Sequence, residues 1–181
     1  MTSTLRAVAA AAASAALLFA LAACASETPA AAPTASDTQT VQVSDEACAD
    51  DAGITVSVDA SALEEDAQAW CIDTGETLAA ADALTLVGVE TEGNVEFGED
   101  AVCRVNGVPA EDLAIPADDG SDYFETCEEM SPAFAYWSMW VKPAGGEWGY
   151  AQEGISTLEL EPGESLALLF SLNGEPAAPT S

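Results

Sequence analysis

The stretch from Ala133 to Tyr150 holds three of the four tryptophans and two of the three tyrosines in a chain of 181 residues. Taken with period two, Phe134, Tyr136, Ser138 and Trp140 fall on one side of a strand, and Ala135, Trp137, Met139 and Val141 on the other. Both sides are largely apolar. Such a strand is either central in a covered sheet or has one face open to a ligand or partner. Gly145-Gly146 provides for the positive φ angles of a tight turn, and Glu147 to Ala151 returns as the paired strand. Trp137 and Met139 are expected in the core. Trp140, Trp148 and Tyr150 near the turn, with Tyr136 on the same face as Trp140, are the expected ligand-binding residues, because rings at a hairpin tip have less sheet around them.

The remaining elements take their places around this hairpin. Gly53 to Asp59 alternates and is β-branched, which predicts a first strand, and Ala67 to Ile72 predicts a second that pairs with it. Asp73, with Glu76 three residues on, predicts the cap of a helix running from Thr74 or Gly75 to about Val87 and stopped by Gly88. Ala101 to Val105, then Asn106-Gly107 and Val108, is a hairpin signal with a type I′ turn. Residues 110–132 are acidic and punctuated by Pro116, Gly120 and Pro132, so a long surface loop is expected there. Ser156 to Leu160, the turn Glu161-Pro162-Gly163-Glu164 and a strand from Ser165 to Leu172 close the order. Strands, one helix, then strands define an α+β class.

Residues 1–23 carry one basic residue, Arg6, and then an uncharged alanine- and leucine-rich run, the layout of an export signal. The run ends Leu21-Ala22-Ala23-Cys24, a bacterial lipobox pattern, so lipidation is expected at Cys24. Each buried CH₂ of an acyl chain contributes about 0.8 kcal/mol, so more than one chain tethers a protein to a membrane. The expected location is extracytoplasmic, lipid-anchored to the cell membrane. Residues 24–47 lack aromatics and are rich in Ala, Pro, Thr and Ser, which predicts a disordered linker; 175–181 is a tail of the same kind. Residues 48–174 are left for a single domain.

Without residues 1–23 the chain keeps two cations, Arg104 and Lys142, against 32 acidic residues. That balance excludes nucleic acid as a partner, because binding there depends on Lys and Arg displacing phosphate counterions. The chain has no histidine, no Gly-x-Ser-x-Gly elbow and no phosphate-cradling glycine loop, so neither catalysis nor a cofactor is expected. With 32 carboxylates some pair always lies at glycosidase distance, so their number is no sign of hydrolysis. Asp118-Asp119-Gly120-Ser121-Asp122 offers hard oxygen ligands but lacks the spacing and distal glutamate of an EF-hand, and reads as a hydrated turn rather than a metal site.

Of the five cysteines, Cys24 goes to lipid, which leaves four and three ways to pair them. Cys48 precedes the first strand and Cys71 ends the second, while Cys103 and Cys127 flank the long loop. Cys48–Cys71 and Cys103–Cys127 are the pairs this order predicts. There is no C-x-x-C spacing of the kind thiol chemistry or zinc would want.

The helix segment Gly75 to Gly88, Cys103-Arg104-Val105-Asn106-Gly107-Val108-Pro109, Tyr136-Trp137-Ser138-Met139-Trp140 with Gly145-Gly146 and Trp148, and Leu160-Glu161-Pro162-Gly163-Glu164 together resemble the transcobalamin-like C-terminal domain. The resemblance covers about residues 52–172. It implies a single β-grasp-like domain, a mixed sheet packed on one helix, and in the cobalamin carriers this module covers one side of the corrinoid. This chain has no second helical domain to complete such a site and is far more acidic. Two functions follow as expectations: a surface-tethered module that binds a small ligand, such as a corrinoid, through its aromatic hairpin, or an envelope protein-interaction module with no small ligand.

Overall fold

A computed structural model of the chain describes residues 41–49, 52–117, 119–174 and 178–179. Cys24 with the export segment, and Asp118, lie outside these residues. The described strands are β1 (Gln42–Ser44), β2 (Ile54–Asp59), β3 (Gln68–Asp73), β4 (Leu78–Ala79), β5 (Thr91–Asn94), β6 (Gly98–Val105), β7 (Ile115–Pro116), β8 (Asp122–Tyr123), β9 (Ala135–Lys142), β10 (Gly149–Tyr150), β11 (Glu159–Leu160) and β12 (Ser165–Leu172), with α1 (Ala80–Leu86) between β4 and β5. The main sheet has six strands in the order β1-β3-β2-β12-β9-β10. It is mixed: β12 runs parallel to β2 and antiparallel to β9.

Alternation along the central strands sorts the sheet into two unlike faces. On one, Leu166, Leu168 and Phe170 of β12 oppose Val141, Met139 and Trp137 of β9, and Val56 and Val58 of β2 lie beside Leu166 and Leu168. These residues form the core with Ala80, Ala83 and Leu84 of α1. Fully burying one such aliphatic side chain contributes about 2 kcal/mol. The other face sets small residues beside aromatic ones: Ala69, Ser57, Ala167, Trp140 and Tyr150 form one row across five strands. The small members of that row leave room for the Trp140 indole.

The predicted strands at 53–59, 67–72 and 165–172 and the aromatic hairpin are present within a residue or two. Asn106 and Gly107 take φ of 50° and 77°, as their turn requires. The return after that turn is a single bridge, Val105 to Val108; the long partner of β6 is β5. In the aromatic hairpin Gly145 alone has a positive φ, 64°, in a turn closed by Gly146 N–H to the Pro143 carbonyl at 2.8 Å.

Four expectations are corrected. The helix begins at Ala80, not at Thr74 or Gly75, because Leu78 and Ala79 pair as β4 with β11. Asp73 ends β3 instead of capping a helix; Ala79 is the N-cap and makes no side-chain cap bond, and the Ala80 N–H goes to the Leu158 carbonyl at 2.8 Å. The segment read as linker contributes β1, whose Gln42, Val43 and Ser44 pair with Asp73, Ile72 and Cys71. The segment read as a long loop is fastened by the β7–β8 hairpin, with Ile115 buried.

The disulfides are Cys48–Cys71 and Cys103–Cys127, as the element order predicts. Two disulfides suit an oxidising, extracytoplasmic setting. Each closes a loop, of sequence separation 23 and 24. In the chain-entropy treatment each is worth about 3 kcal/mol. The double variant Cys103→Ser/Cys127→Ser is expected to lose about that much in urea unfolding; an unchanged midpoint would show that the link constrains nothing.

Candidate functional site

β10 is short, and the site follows from where the chain goes next. The last bond between the two strands is Ala151 N–H to the Met139 carbonyl at 2.9 Å. Residues 152–155 then turn away toward β6. Gly154 makes the approach possible: a Cβ there would lie 2.3 Å from Asp100 Oδ1. The Ser156 hydroxyl donates to the same oxygen at 2.5 Å. Among the described residues no strand then pairs with the first half of β9 on that side, and a cleft of about 570 Å³ takes its place. Trp137 and Met139 from the core face and Tyr136 and Ser138 from the opposite face all line it, so it runs along the edge of the strand. Its other walls are Ala101 and Val102 of β6, Met130, Ser131 and Ala133, and Gln152 to Ile155. Glu99, Asp100 and Glu153 put carboxylates on an otherwise largely apolar lining. The size is that of a small-ligand site.

Of the four aromatic residues expected to bind ligand, Tyr136 and Tyr150 line this cleft together. Trp140 is only 6% exposed; Tyr150 stacks on it with ring centroids 4.0 Å apart, and its indole N–H donates to Ser138 Oγ at 3.0 Å. Trp140 is therefore the backing of Tyr150. Trp148 stands half-buried outside the cleft, with the Lys142 ammonium 5.5 Å from its ring centroid. Trp137 is buried as expected, edge-on to Phe170, and donates its indole N–H to the Val108 carbonyl at 3.0 Å.

Sequence reasoning missed the polar knot beside the cleft. Arg104, 4% exposed, donates Nε–H to the Pro109 carbonyl at 2.9 Å, one terminal nitrogen to Glu92 Oε2 at 2.8 Å and to Cys127 Sγ at 3.2 Å, and the other to the Glu125 carbonyl. The buried Glu125 carboxylate accepts from Cys127 N–H at 2.7 Å, Tyr123 O–H at 2.6 Å and Ser131 Oγ–H at 2.7 Å. A signal was available: a lone arginine inside Val102-Cys103-Arg104-Val105 sits in an apolar strand, and a buried guanidinium must be paired. Sγ of Cys103 and Cys127 with Glu92 form a close three-residue cluster, but both sulfurs belong to the disulfide and supply no thiolate for a metal. At the acidic turn, the Ser121 hydroxyl and then its N–H donate to Asp119, which holds that carboxyl below its usual range.

Burial, and after it the hydrogen bond and charge of Glu125, push the Tyr123 phenol above its ordinary value of 10.0, with the Arg104 charge opposing. A phenol raised in the folded state contributes stability that is complete below the unfolded value and is lost as pH rises from there through the folded value. Unfolding midpoints of the wild type are therefore expected to fall above about pH 10 more steeply than those of Tyr123→Phe, which has no proton to lose. Parallel curves would remove Tyr123 from the alkaline transition.

Compared with family models, curated proteins and solved structures, the chain matches none.

Proposed function

We propose that the protein is an extracytoplasmic, lipid-tethered binding module whose ligand occupies the cleft along β9, and that it is not an enzyme. The observation that carries this reading is the cleft itself: about 570 Å³, floored by Trp137, Met139 and Val102 and flanked by Tyr136 and Tyr150, at a strand edge left open by the departure of β10. Rigid aromatic rings give affinity at small conformational cost, and three carboxylates favour a cationic or neutral ligand over an anion. A mixed sheet with one helix is compatible with a β-grasp-like domain, and on that reading the resemblance to the transcobalamin-like domain adds a corrinoid to the ligands worth testing. The test is titration of the ¹⁵N-labelled protein with cyanocobalamin, haem and tryptamine. Saturable shifts centred on Tyr136, Met139 and Gln152 support the reading; no shift there with any probe, or shifts confined elsewhere, reject the cleft as a small-ligand site.

Protein contact is the second reading, favoured by Val95, Phe97 and Met130, which are 81%, 52% and 58% exposed, with Met130 at the cleft wall. The tether rests on the Leu21-Ala22-Ala23-Cys24 pattern and on the disulfides, which fit the same compartment. Cys24→Ser replaces the thiol that takes the acyl chains, so the protein is expected in the soluble fraction or as uncleaved precursor. Unchanged membrane retention and processing would end the lipoprotein reading.

A further inference from the structure

We infer that the cleft receives an extended peptide segment carrying lysine or arginine, which adds to β9 as the strand that β10 is too short to be. The inference rests on the reading of the cleft as the binding site and names its ligand class. In an antiparallel pair, alternate residues present both backbone groups to the same neighbour. Gly149 pairs with Val141, and the Ala151 N–H reaches the Met139 carbonyl, so Val141 and Met139 face β10. Two residues further along, Trp137 presents its N–H and C=O to the same side. Beyond it the Ala135 N–H is taken by the Pro132 carbonyl at 3.0 Å. Among the described residues, no backbone bond on that side falls between Ala135 and Met139. The groups at Trp137 open onto the cleft.

An open edge of this kind is a template for strand addition: main-chain bonds give affinity, and pockets for alternate side chains give selectivity. The side-chain chemistry here is split. Val102, Met139 and Ile155 offer apolar contact, while Glu99, Asp100 and Glu153 offer negative charge. The surrounding chain, with a net charge of −29, repels an acidic segment and attracts a basic one. A peptide alternating apolar and basic residues satisfies both sets at the two-residue period of a strand.

The test uses the full chain and the acetylated, amidated peptide Val-Lys-Val-Lys-Val. Saturable binding is expected, with slowed hydrogen exchange at the Trp137 amide and an affinity that falls with salt. N-methylation of the central valine removes a backbone donor and is expected to weaken binding by at least about tenfold. Replacing both lysines by glutamate should abolish it, and Glu153→Lys in the protein, at an exposed position, should weaken the basic peptide. Equal binding by the N-methylated or the glutamate peptide overturns strand addition or charge selection respectively. If the peptide does not bind while tryptamine or a corrinoid still shifts the cleft, the peptide inference fails and the binding site stands. If none of them perturbs the cleft, both fail.

Discussion

Arg104→Ala is expected to lower stability by about 3–5 kcal/mol, in the range for removing one partner from a buried charged network. The ion pair supplies little of this, because the Glu92 side chain is 56% exposed and solvent screens it. The larger loss comes from the carbonyls of Pro109 and Glu125, which the guanidinium satisfies in a buried setting and which alanine leaves without a donor. Glu92→Gln is therefore expected to cost less than about 1 kcal/mol. Arg104→Lys should fall between, since an ammonium lacks the planar fork that reaches both carbonyls at once. Urea unfolding gives the ranking, and amide exchange at Ile115 and Tyr123 reports whether the β7–β8 hairpin loosens with it. Equal costs for Arg104→Ala and Glu92→Gln would place the energy in the ion pair.

Trp137→Ala carries a comparable expectation, about 3–5 kcal/mol, as large aromatic truncations in a core do. The indole is 8% exposed, meets Phe170 edge to face and occupies the Val108 carbonyl. Trp148→Ala removes a half-buried ring that lies beside the Lys142 ammonium, so about 1 kcal/mol is expected. Equal destabilisation by the two would mean that Trp148 supports the sheet as much as Trp137 does. Binding separates them further: Tyr136→Ala should weaken a cleft ligand, and Trp148→Ala should not, because Tyr136 lines the cleft and Trp148 does not.

What was legible in the sequence was local. Ile54 to Asp59 and Ser165 to Leu172 announce themselves as strands by β-branched and aliphatic content, and Asn106-Gly107 announces its turn by backbone tolerance. The cysteine pairs followed once the element order was right. The parallel pairing of β2 with β12 has no local signal, since each strand would look the same beside any other apolar neighbour. β5 was missed because Thr-Glu-Gly-Asn has turn composition, and tertiary pairing with β6 overrode it. Helix periodicity extended too far toward the N-terminus because nothing nearby shows that Leu78 and Ala79 will meet Glu159 and Leu160.

The candidate site was half legible. Tyr136 and Tyr150 could be named from the hairpin, but the cleft they line exists because a strand stops, and its walls come from parts of the chain far apart in sequence. Trp140 illustrates the limit of strand parity. The alternation places it on the face of Tyr136 correctly, yet whether that face is open depends on Tyr150 lying over it at 4.0 Å.

The position of β12 sets a schedule. Synthesis delivers β2 and β3 early and β12 late, and the contact between Ser57 and Leu166 spans 109 residues. Until that last segment arrives, β2 has a partner on one flank only and β9 has none of its long ladder. Cys48–Cys71 lies wholly within the early part and, in an oxidising compartment, ties the segment before β2 to β3 without needing β12. Long-range pairing of this kind is slow because a large loop must close before it is rewarded. One strand, the last in the chain, therefore joins the two halves of the main sheet.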